Sequence, residues 1–403
     1  MSKHVSFTIP AHSRLWATGL VLLGAGAALY ELDANPQRAW PSLLLNGFYV
    51  TSLAVSAMFF LASQRATGAR WSASLRRIPE AFMLALPVAA LLMLALLLGR
   101  ETIFPWAHPD AFNHAPAIAG KVQYLQMPWL IARTVAALVL WIIFALLMRR
   151  ASLDQDERPG AGLILHHRLT RYAILFIPVF AVSFTLMAFD WLISLEPDWF
   201  STMFAVYIFA GTFVQGIAAV TLAVVLLRQF NSLGSSVSED QLHDLGKMMF
   251  AFSTFWAYIW TCQYLLIWYG NIPDEVTFYI PRTKGPWLYL FALNLIVNWV
   301  IPFLVLLSEK RKRSPRILIA MSILLLLGHW LDLYLLIVPT FRATPGLGLL
   351  EIVVAAGYMA LLFLLFVHAL ARAPIVPLND PILNYEELAH DHDVIHRPFG
   401  VNL

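Results

Sequence analysis

Cysteine and charge are what this 403-residue chain has least of. Its single cysteine, Cys262, excludes an internal disulfide. One thiol cannot hold an iron–sulfur cluster or a covalently attached haem. A redox metal centre working with this chain must therefore sit on a partner. Asp, Glu, Lys and Arg make up only 13% of the residues, against 60% hydrophobic, whereas soluble domains carry about 25% charged residues. So little charge cannot cover a water-compatible surface, and lipid takes the place of water as solvent. The net charge of +3 then says nothing of nucleic acid, and no such partner is expected. Neither a long soluble insert nor a clear internal repeat is visible.

Ten apolar stretches are each long enough to cross a hydrocarbon core. They run from Leu15 to Tyr30, Trp40 to Gln64, Glu80 to Gly99, Tyr124 to Met148, and Leu169 to Ser194. The second five run from Trp199 to Leu227, Leu245 to Tyr269, Pro286 to Ser308, Ile317 to Pro339, and Leu347 to Ala371. The expected fold is all-α: a polytopic membrane domain over residues 1–372, followed by a polar tail over 373–403. The first stretch resembles a signal peptide, with small residues from Gly24 to Ala28 where cleavage would fall. Following Met1 as it does, it is read as an uncleaved first helix. Of the 27 Lys and Arg residues, twenty fall on the N-terminal side of these spans and six on the other, with Arg133 alone inside a span. Basic residues are retained in cytoplasmic loops, so both termini are expected in the cytoplasm.

A charge in the bilayer core costs roughly 2.5–3.5 kcal/mol on insertion scales and is usually retained for a reason. Arg133 in helix 4 and Asp190 near the outer end of helix 5 lie on sequential antiparallel helices and can meet. They read either as a structural ion pair or as a polar pocket for a quinone head group or a proton. His329 and Asp332, three apart on helix 9, share a face, as do Asn294 and Asn298, four apart on helix 8. With Tyr258 and Gln263 on helix 7 they are expected to form a polar file through helices 6 to 9. Such a file reads as a proton path or as a set of interhelical hydrogen bonds. Haem needs facing axial ligands, and the only span histidines, His329 and His368, sit at different depths. Glu80 and Glu351 open helices 3 and 10, where the helix dipole favours acids. Glu196 and Asp198 flank Pro197 in a tight outer turn and suit either that turn or an acidic mouth. The tail carries His390, His392 and His396 among Asp391 and Asp393, a pattern that suits a solvated or partner-docked segment better than a metal site.

Three stretches carry a resemblance: Asp190 to Phe204 (DWLISLEPDWFSTMF), Phe255 to Glu275 (FWAYIWTCQYLLIWYGNIPDE) and His329 to Tyr334 (HWLDLY). They resemble the F subunit of bacterial alternative complex III, a quinol-oxidising respiratory assembly of the inner membrane, within the wider polysulfide-reductase-like membrane family. The likeness extends across helices 4 to 10. It implies two four-helix bundles, helices 2–5 (about 40–195) and 6–9 (about 198–340), with helices 1 and 10 outside. It also implies partners: a paralogous quinol-oxidising membrane subunit, a periplasmic iron–sulfur protein and haem c subunits. Electrons would pass from menaquinol or ubiquinol to a cytochrome c or a terminal oxidase, with no cofactor held by this chain beyond a possible quinol. In the quinol-oxidising paralogue a histidine and an aspartate of the first bundle hold the quinol. Here helix 5 supplies Asp190, but helix 4 offers Arg133 in place of a histidine. A quinone-related site, a proton-conducting role and a structural scaffold therefore all stand as readings. A free-standing transporter is a further alternative, although Pro87, Pro178 and Pro302 form no matched pair of broken helices.

The basic asymmetry makes a direct prediction about orientation. A reporter fused after Leu403 will be active only in its cytoplasmic form, and periplasmic activity would reverse the assignment of sides.

Overall fold

A computed structural model describes residues 10–108, 120–230, 232–233 and 236–383, and these contain helices and turns with no strand. The histidines of the tail, His390, His392 and His396, lie outside the described residues. Ten long helical stretches follow one another. They are α1 (Ala11–Ala34), α2 (Pro36–Ala66), α3 (Arg77–Ile103), α4 (Met127–Glu157) and α5 (Gly162–Trp191). Then come α6 (Phe204–Gln229), α7 (Glu239–Gly270), α8 (Pro286–Leu306), α9 (Pro315–Phe341) and α10 (Leu349–Leu370). Among the described residues, nine helices are long and apolar enough to cross a membrane, which makes this a multi-pass membrane protein. Helix α7 is the long helix outside that set. Its 32 residues include Trp256, Tyr258, Trp260, Thr261, Gln263 and Tyr264, which lower its hydropathy without shortening it.

The helices outrun their apolar stretches wherever polar residues still suit a helix. Helix α4 continues past Met148 to Glu157. Helix α7 begins at Glu239, well before Leu245, because Ser238 and Gln241 form a reciprocal capping box that satisfies two otherwise unpaired donors. Helix α6 starts later than the expected Trp199, at Phe204. There the Lys121 ammonium donates to the carbonyls of Pro197 (2.5 Å) and Trp199 (3.0 Å) and holds that run as a loop. Two helices are broken. Helix α3 has a turn at Leu84–Ala85 just before Pro87. Helix α8 contains a π-helical turn at Ile296–Val300, immediately ahead of Pro302, whose ring cannot continue the hydrogen-bond ladder.

Helices α2 and α6 are buried along most of their length and lie against each other. Helix α2 also touches α1, α3, α5, α9 and α10, while α4 lies on α3 and α5. Helix α6 touches α5, α7 and α9, and α8 lies on α7 and α9. Helix α1 packs chiefly on α10, where Gly24 meets Gly357: a Cβ on Gly24 would lie 2.7 Å from the Gly357 Cα. Contact of this kind is how helices associate when lipid removes the hydrophobic drive between them. The outer side of α1 leaves Leu15, Trp16, Leu22 and Leu23 exposed, as a lipid-facing helix should.

The end of the molecule where most basic residues gather is held by a buried ionic network, and this revises the capping role expected of Glu80. Its carboxylate is fully buried and accepts from Arg77 (2.8 Å), Arg149 (2.7 Å) and the Ser152 hydroxyl, with Arg76 at 3.6 Å. A second acid, Asp380, accepts from Arg65 at 2.9 Å and Arg76 at 2.5 Å, with His166 at 3.6 Å. Asp156 pairs with Arg77, accepts the Leu378 N–H at 3.0 Å, and offers its own carbonyl to the Asn379 amide at 2.8 Å. The start of the tail is thus not a free polar segment. Residues 373–383 form a strap pinned across the ends of α2 to α5, with Asp380 and Ile375 buried.

Burial opposes the charge on Asp380, but Arg65, His166 and Arg76 outweigh it and hold the carboxyl well below the usual carboxylate range. A depressed folded-state pKa stabilises fully above the unfolded value of about 3.9 and is lost as pH falls through the folded one. The strap should therefore stay docked across the neutral and mildly acidic range and loosen only below about pH 4. Asp380→Asn should lower stability by about 3–5 kcal/mol, the usual cost of uncompensated buried charge. Thermal unfolding in detergent and protease cleavage within 373–383 measure it.

Candidate functional site

Two polar centres lie inside the apolar body. The first joins α4 to α5. Arg133 donates through Nε and Nη2 to the two oxygens of Asp190, each at 2.8 Å, and Nη2 also reaches the Tyr124 carbonyl at 3.2 Å. The guanidinium lies over the Tyr124 ring, 4.0 Å from its centre. One residue further along each helix, the Trp191 indole donates to the Thr134 hydroxyl at 2.9 Å. The expected meeting of Arg133 and Asp190 is therefore seen, as a two-pronged ion pair. A cavity of about 250 Å³ opens beside it, lined among others by Lys121, Tyr124, Phe189, Ile193 and Phe200. Neither Arg133 nor Asp190 lines that cavity. Each carboxylate oxygen accepts from Arg133, so the pair is matched within itself and stands behind the cavity wall rather than in it.

The second centre is built around Asp332, which sits on α9 roughly 14 Å from its Phe341 end and roughly 25 Å from its Pro315 end at 1.5 Å rise per residue. The carboxylate accepts from the Tyr207 hydroxyl (2.5 Å) and the Asn294 amide (2.7 Å) on one oxygen, and from the Trp256 indole (3.0 Å) on the other. Asn298 donates to the Asn294 side chain at 2.7 Å and stands on the π-helical turn of α8. Such turns often occur at functional sites. His329 Nδ1 lies 4.0 Å from the Asp332 oxygen that accepts from Trp256, outside hydrogen-bond range. Both His329 ring nitrogens are buried without a hydrogen-bond partner among the described residues. Gly211 on α6 makes room for the imidazole, since a Cβ there would come within 2.8 Å of Nδ1.

The structure thus brings together Asn294, Asn298, His329 and Asp332. It does not bring in Tyr258, which is 63% exposed on the outer side of α7. Gln263 is near the site, lining a small void with Asp332; the α7 donor at the site is Trp256, and the hydroxyl comes from Tyr207 on α6. Neither was singled out in the sequence, because an aromatic residue in an apolar helix carries no mark of which face it occupies. His368 is exposed on α10. Glu351 does open α10, accepting the Gly348 N–H at 2.9 Å. It also binds Arg38 and lies 3.5 Å from Arg342, so it ties helix ends together as well as capping.

Polar groups lead away from this centre in both directions. Toward the basic end, the Tyr49 ring lies 6.0 Å from that of His329. Gln215 donates to the Tyr49 carbonyl and accepts from the Ser52 hydroxyl, each at 3.0 Å. The hydroxyls of Ser56 and Thr212 are buried along the same α2–α6 seam with no hydrogen-bond partner among the described residues. Toward the other end lies a void of about 20 Å³ lined by Tyr207, Gln263, Tyr279, Arg282, Asn294 and Asp332, with apolar walls. Arg282 is 2% exposed and reaches Glu196 at 2.7 Å, and the Thr340 hydroxyl donates to the same carboxylate oxygen at 2.8 Å. Beyond Glu196 is an open cavity of about 490 Å³ lined by Glu196, Asp198, Trp106 and Trp199. Among the described residues no group of three or more His, Cys, Asp and Glu side chains is arranged to hold a metal. Comparison with protein-family models and with curated proteins finds no match.

The completeness of the Arg133–Asp190 pair predicts a structural role. Asp190→Asn should destabilise by about 3 kcal/mol or more by stranding a charge. The double change Arg133→Met with Asp190→Leu should recover most of that loss, as thermal unfolding of the purified protein will show.

Proposed function

We propose that this chain is the proton-conducting membrane subunit of a quinol-oxidising respiratory assembly of the alternative complex III type. The observation that carries the reading is Asp332. It is a buried carboxyl group caged by Tyr207, Trp256 and Asn294, beside an imidazole whose nitrogens are both unpaired. A group meant only to glue helices has its hydrogen bonds satisfied, because an unmet one in a dry interior costs about 1–3 kcal/mol. An ionisable pair at this depth with spare hydrogen-bonding capacity suits a group that gains and loses protons. Polar side chains approach it from both ends, as conduction requires.

The resemblance supports the same reading. Its three stretches run through the residues on which the polar centres depend: Asp190 and Glu196, Trp256 and Gln263, His329 and Asp332. The contacts agree with two four-helix bundles. Helices α2, α3, α4 and α5 touch in a closed ring, as do α6, α7, α8 and α9, while α1 and α10 pair outside them. On this reading all ten helices cross the inner membrane and both termini are cytoplasmic. The Glu196 mouth then faces the periplasm. Electrons travel on the partners: the paralogous membrane subunit oxidises menaquinol or ubiquinol, and the iron–sulfur protein and haem c subunits carry charge onward. A second reading makes this chain itself a quinol site, favoured by the 250 Å³ cavity beside Tyr124. Among the described residues no carboxylate or imidazole lines that cavity, and Asp190 is paired with Arg133 behind it, so proton conduction fits better.

The test uses the assembled complex in vesicles. Asp332→Asn and His329→Gln should leave it assembled while quinol-driven proton movement falls about tenfold or more, as expected when a relay group is lost. Normal proton stoichiometry and turnover in both variants would reduce the pair to helix packing.

A further inference from the structure

Asp332 and the Glu196 mouth are separated by two things, a small void and a single guanidinium. We propose that the void is a one-water relay site and that Arg282 is the electrostatic barrier keeping protons at the mouth from reaching it. The inference rests on the proton-conducting reading of Asp332 and assigns residues that reading does not use.

The void measures about 20 Å³, enough for one water, which needs about 10–15 Å³ of such space and two to four polar partners. Those partners are present. Asp332, Asn294, Tyr207 and Tyr279 line the void, and so does Gln263. Gln263 is 8% exposed, and its Oε1 has no hydrogen-bond partner among the described residues. A buried amide oxygen left unpaired at the edge of a water-sized space is an acceptor for that water. Arg282 closes one side of the void, and Trp260, Phe278, Phe291, Leu335 and Leu336 form the remaining walls. A proton leaving the Asp332 carboxyl breaks its O–H bond and forms one on the water. This leaves a carboxylate held by Tyr207, Asn294 and Trp256 and a hydronium in the void, which the adjoining carboxylate attracts and the Arg282 guanidinium on the far wall turns back.

The next group outward is Arg282. Its Nε donates to the Leu335 carbonyl (2.9 Å), and Nη1 to the Phe278 carbonyl (2.5 Å). Nη2 donates to Leu336 (2.8 Å) and Glu196 (2.7 Å). The guanidinium also lies flat over Phe278, 3.6 Å from the ring centre. This charge is pinned from several sides and belongs to a side chain that does not give up its proton in proteins. Three of its partners are backbone carbonyls, so it keeps its position whatever the state of Glu196. A fixed positive charge across a narrow polar route repels hydronium and protonated water chains, as it does in water-selective pores. Glu196 and Asp198 concentrate cations at the mouth, and Arg282 stops them there. The arrangement favours retention of a gradient by closing the shortest route between Asp332 and the acidic mouth.

The experiment measures passive proton entry into vesicles holding the full chain with its co-purifying subunits. The vesicles contain a trapped pH dye and are driven by a valinomycin potassium potential. Arg282→Gln should raise the leak about tenfold, the factor expected on losing one nearby charge. Arg282→Lys, which keeps the charge, should hold it near the wild-type level. Adding Asp332→Asn to Arg282→Gln should return the leak to that level, because the opened route runs through Asp332. An unchanged leak in assembled Arg282→Gln protein overturns the barrier. A leak that persists in the double variant overturns the route. If Arg282→Gln does not assemble, Gln263→Leu decides the water site: coupled proton movement should fall several-fold, and a normal rate overturns it. Normal coupled movement in Asp332→Asn alone would sink the proton-conducting reading and leave the leak comparison to judge the barrier separately.

Discussion

Lipid donates no hydrogen bonds, and everything polar inside this protein answers to that constraint. With 60% of its residues hydrophobic, the chain can hide its few polar side chains only by pairing them with one another. Asp332 illustrates the result. Three elements of the fold, α6, α7 and α8, each send one donor to it: Tyr207, Trp256 and Asn294. The helices are set at that depth by the carboxylate as much as by apolar packing, since removing any one donor would leave an acceptor in a medium with none to offer. His329 and Gln263 are informative because they break the rule, each keeping an unpaired polar atom in the interior.

Direct ion pairs gather at particular places along the molecule. At the basic end, Glu80, Asp156 and Asp380 are matched to Arg65, Arg76, Arg77 and Arg149, a network that ties α2, α3, α4 and the strap together. Arg133 and Asp190 do the same for α4 and α5 with matched two-pronged geometry. In both places acid and base meet directly and the charges neutralise one another, although Arg76 and Arg77 keep buried donors with no partner among the described residues. Such pairs contribute less to net stability than their Coulomb attraction suggests, but they penalise misplaced helices heavily. At Asp332 no base is in hydrogen-bond contact. Neutral donors hold it, and the nearest cationic candidates, His329 and Arg282, stand off from the carboxylate. A carboxyl group solvated by dipoles can change its protonation without stranding a partner charge, which a salt bridge cannot.

Much of this was legible in the sequence. Apolar length marked out the long helices, nine of which among the described residues are long and apolar enough to cross a membrane. The three-residue spacing of His329 and Asp332 correctly set them on one side of α9. The four-residue spacing of Asn294 and Asn298 did the same on α8. Their neighbours could not be read, because helix rotation is set by packing that no local pattern records. Tyr258 and Trp256 are two residues apart on an α7 whose aromatics run all round it, so only tertiary contacts decide that Trp256 faces inward and Tyr258 outward. Glu80 looks like a helix-opening acid, and the arginines that surround it are Arg149 from α4, Arg77 at the start of α3 and Arg76 just before it. Arg282 counts as a loop residue by sequence. It becomes buried because the short helix Tyr279–Arg282 folds the connection between α7 and α8 back onto α9, where free carbonyls await it.

The two approaches to the Asp332 centre differ in kind. On the basic side, hydroxyls and amides of Tyr49, Ser52, Gln215, Ser56 and Thr212 follow the α2–α6 seam, and several retain unused capacity. Neutral groups of this sort can be crossed in either direction when water or side-chain rotation links them. On the Glu196 side a void for one water ends at a pinned guanidinium, which a proton meets as a fixed repulsion. Neutral groups on one side and a fixed charge on the other make the centre unequal toward its two surfaces. Directional movement needs that inequality, because a carboxyl group equally open to both sides would only dissipate a gradient. On the proton-conducting reading it is the guarded side that must change, and there Arg282 donates to one side chain, Glu196, and to three backbone carbonyls, those of Phe278, Leu335 and Leu336.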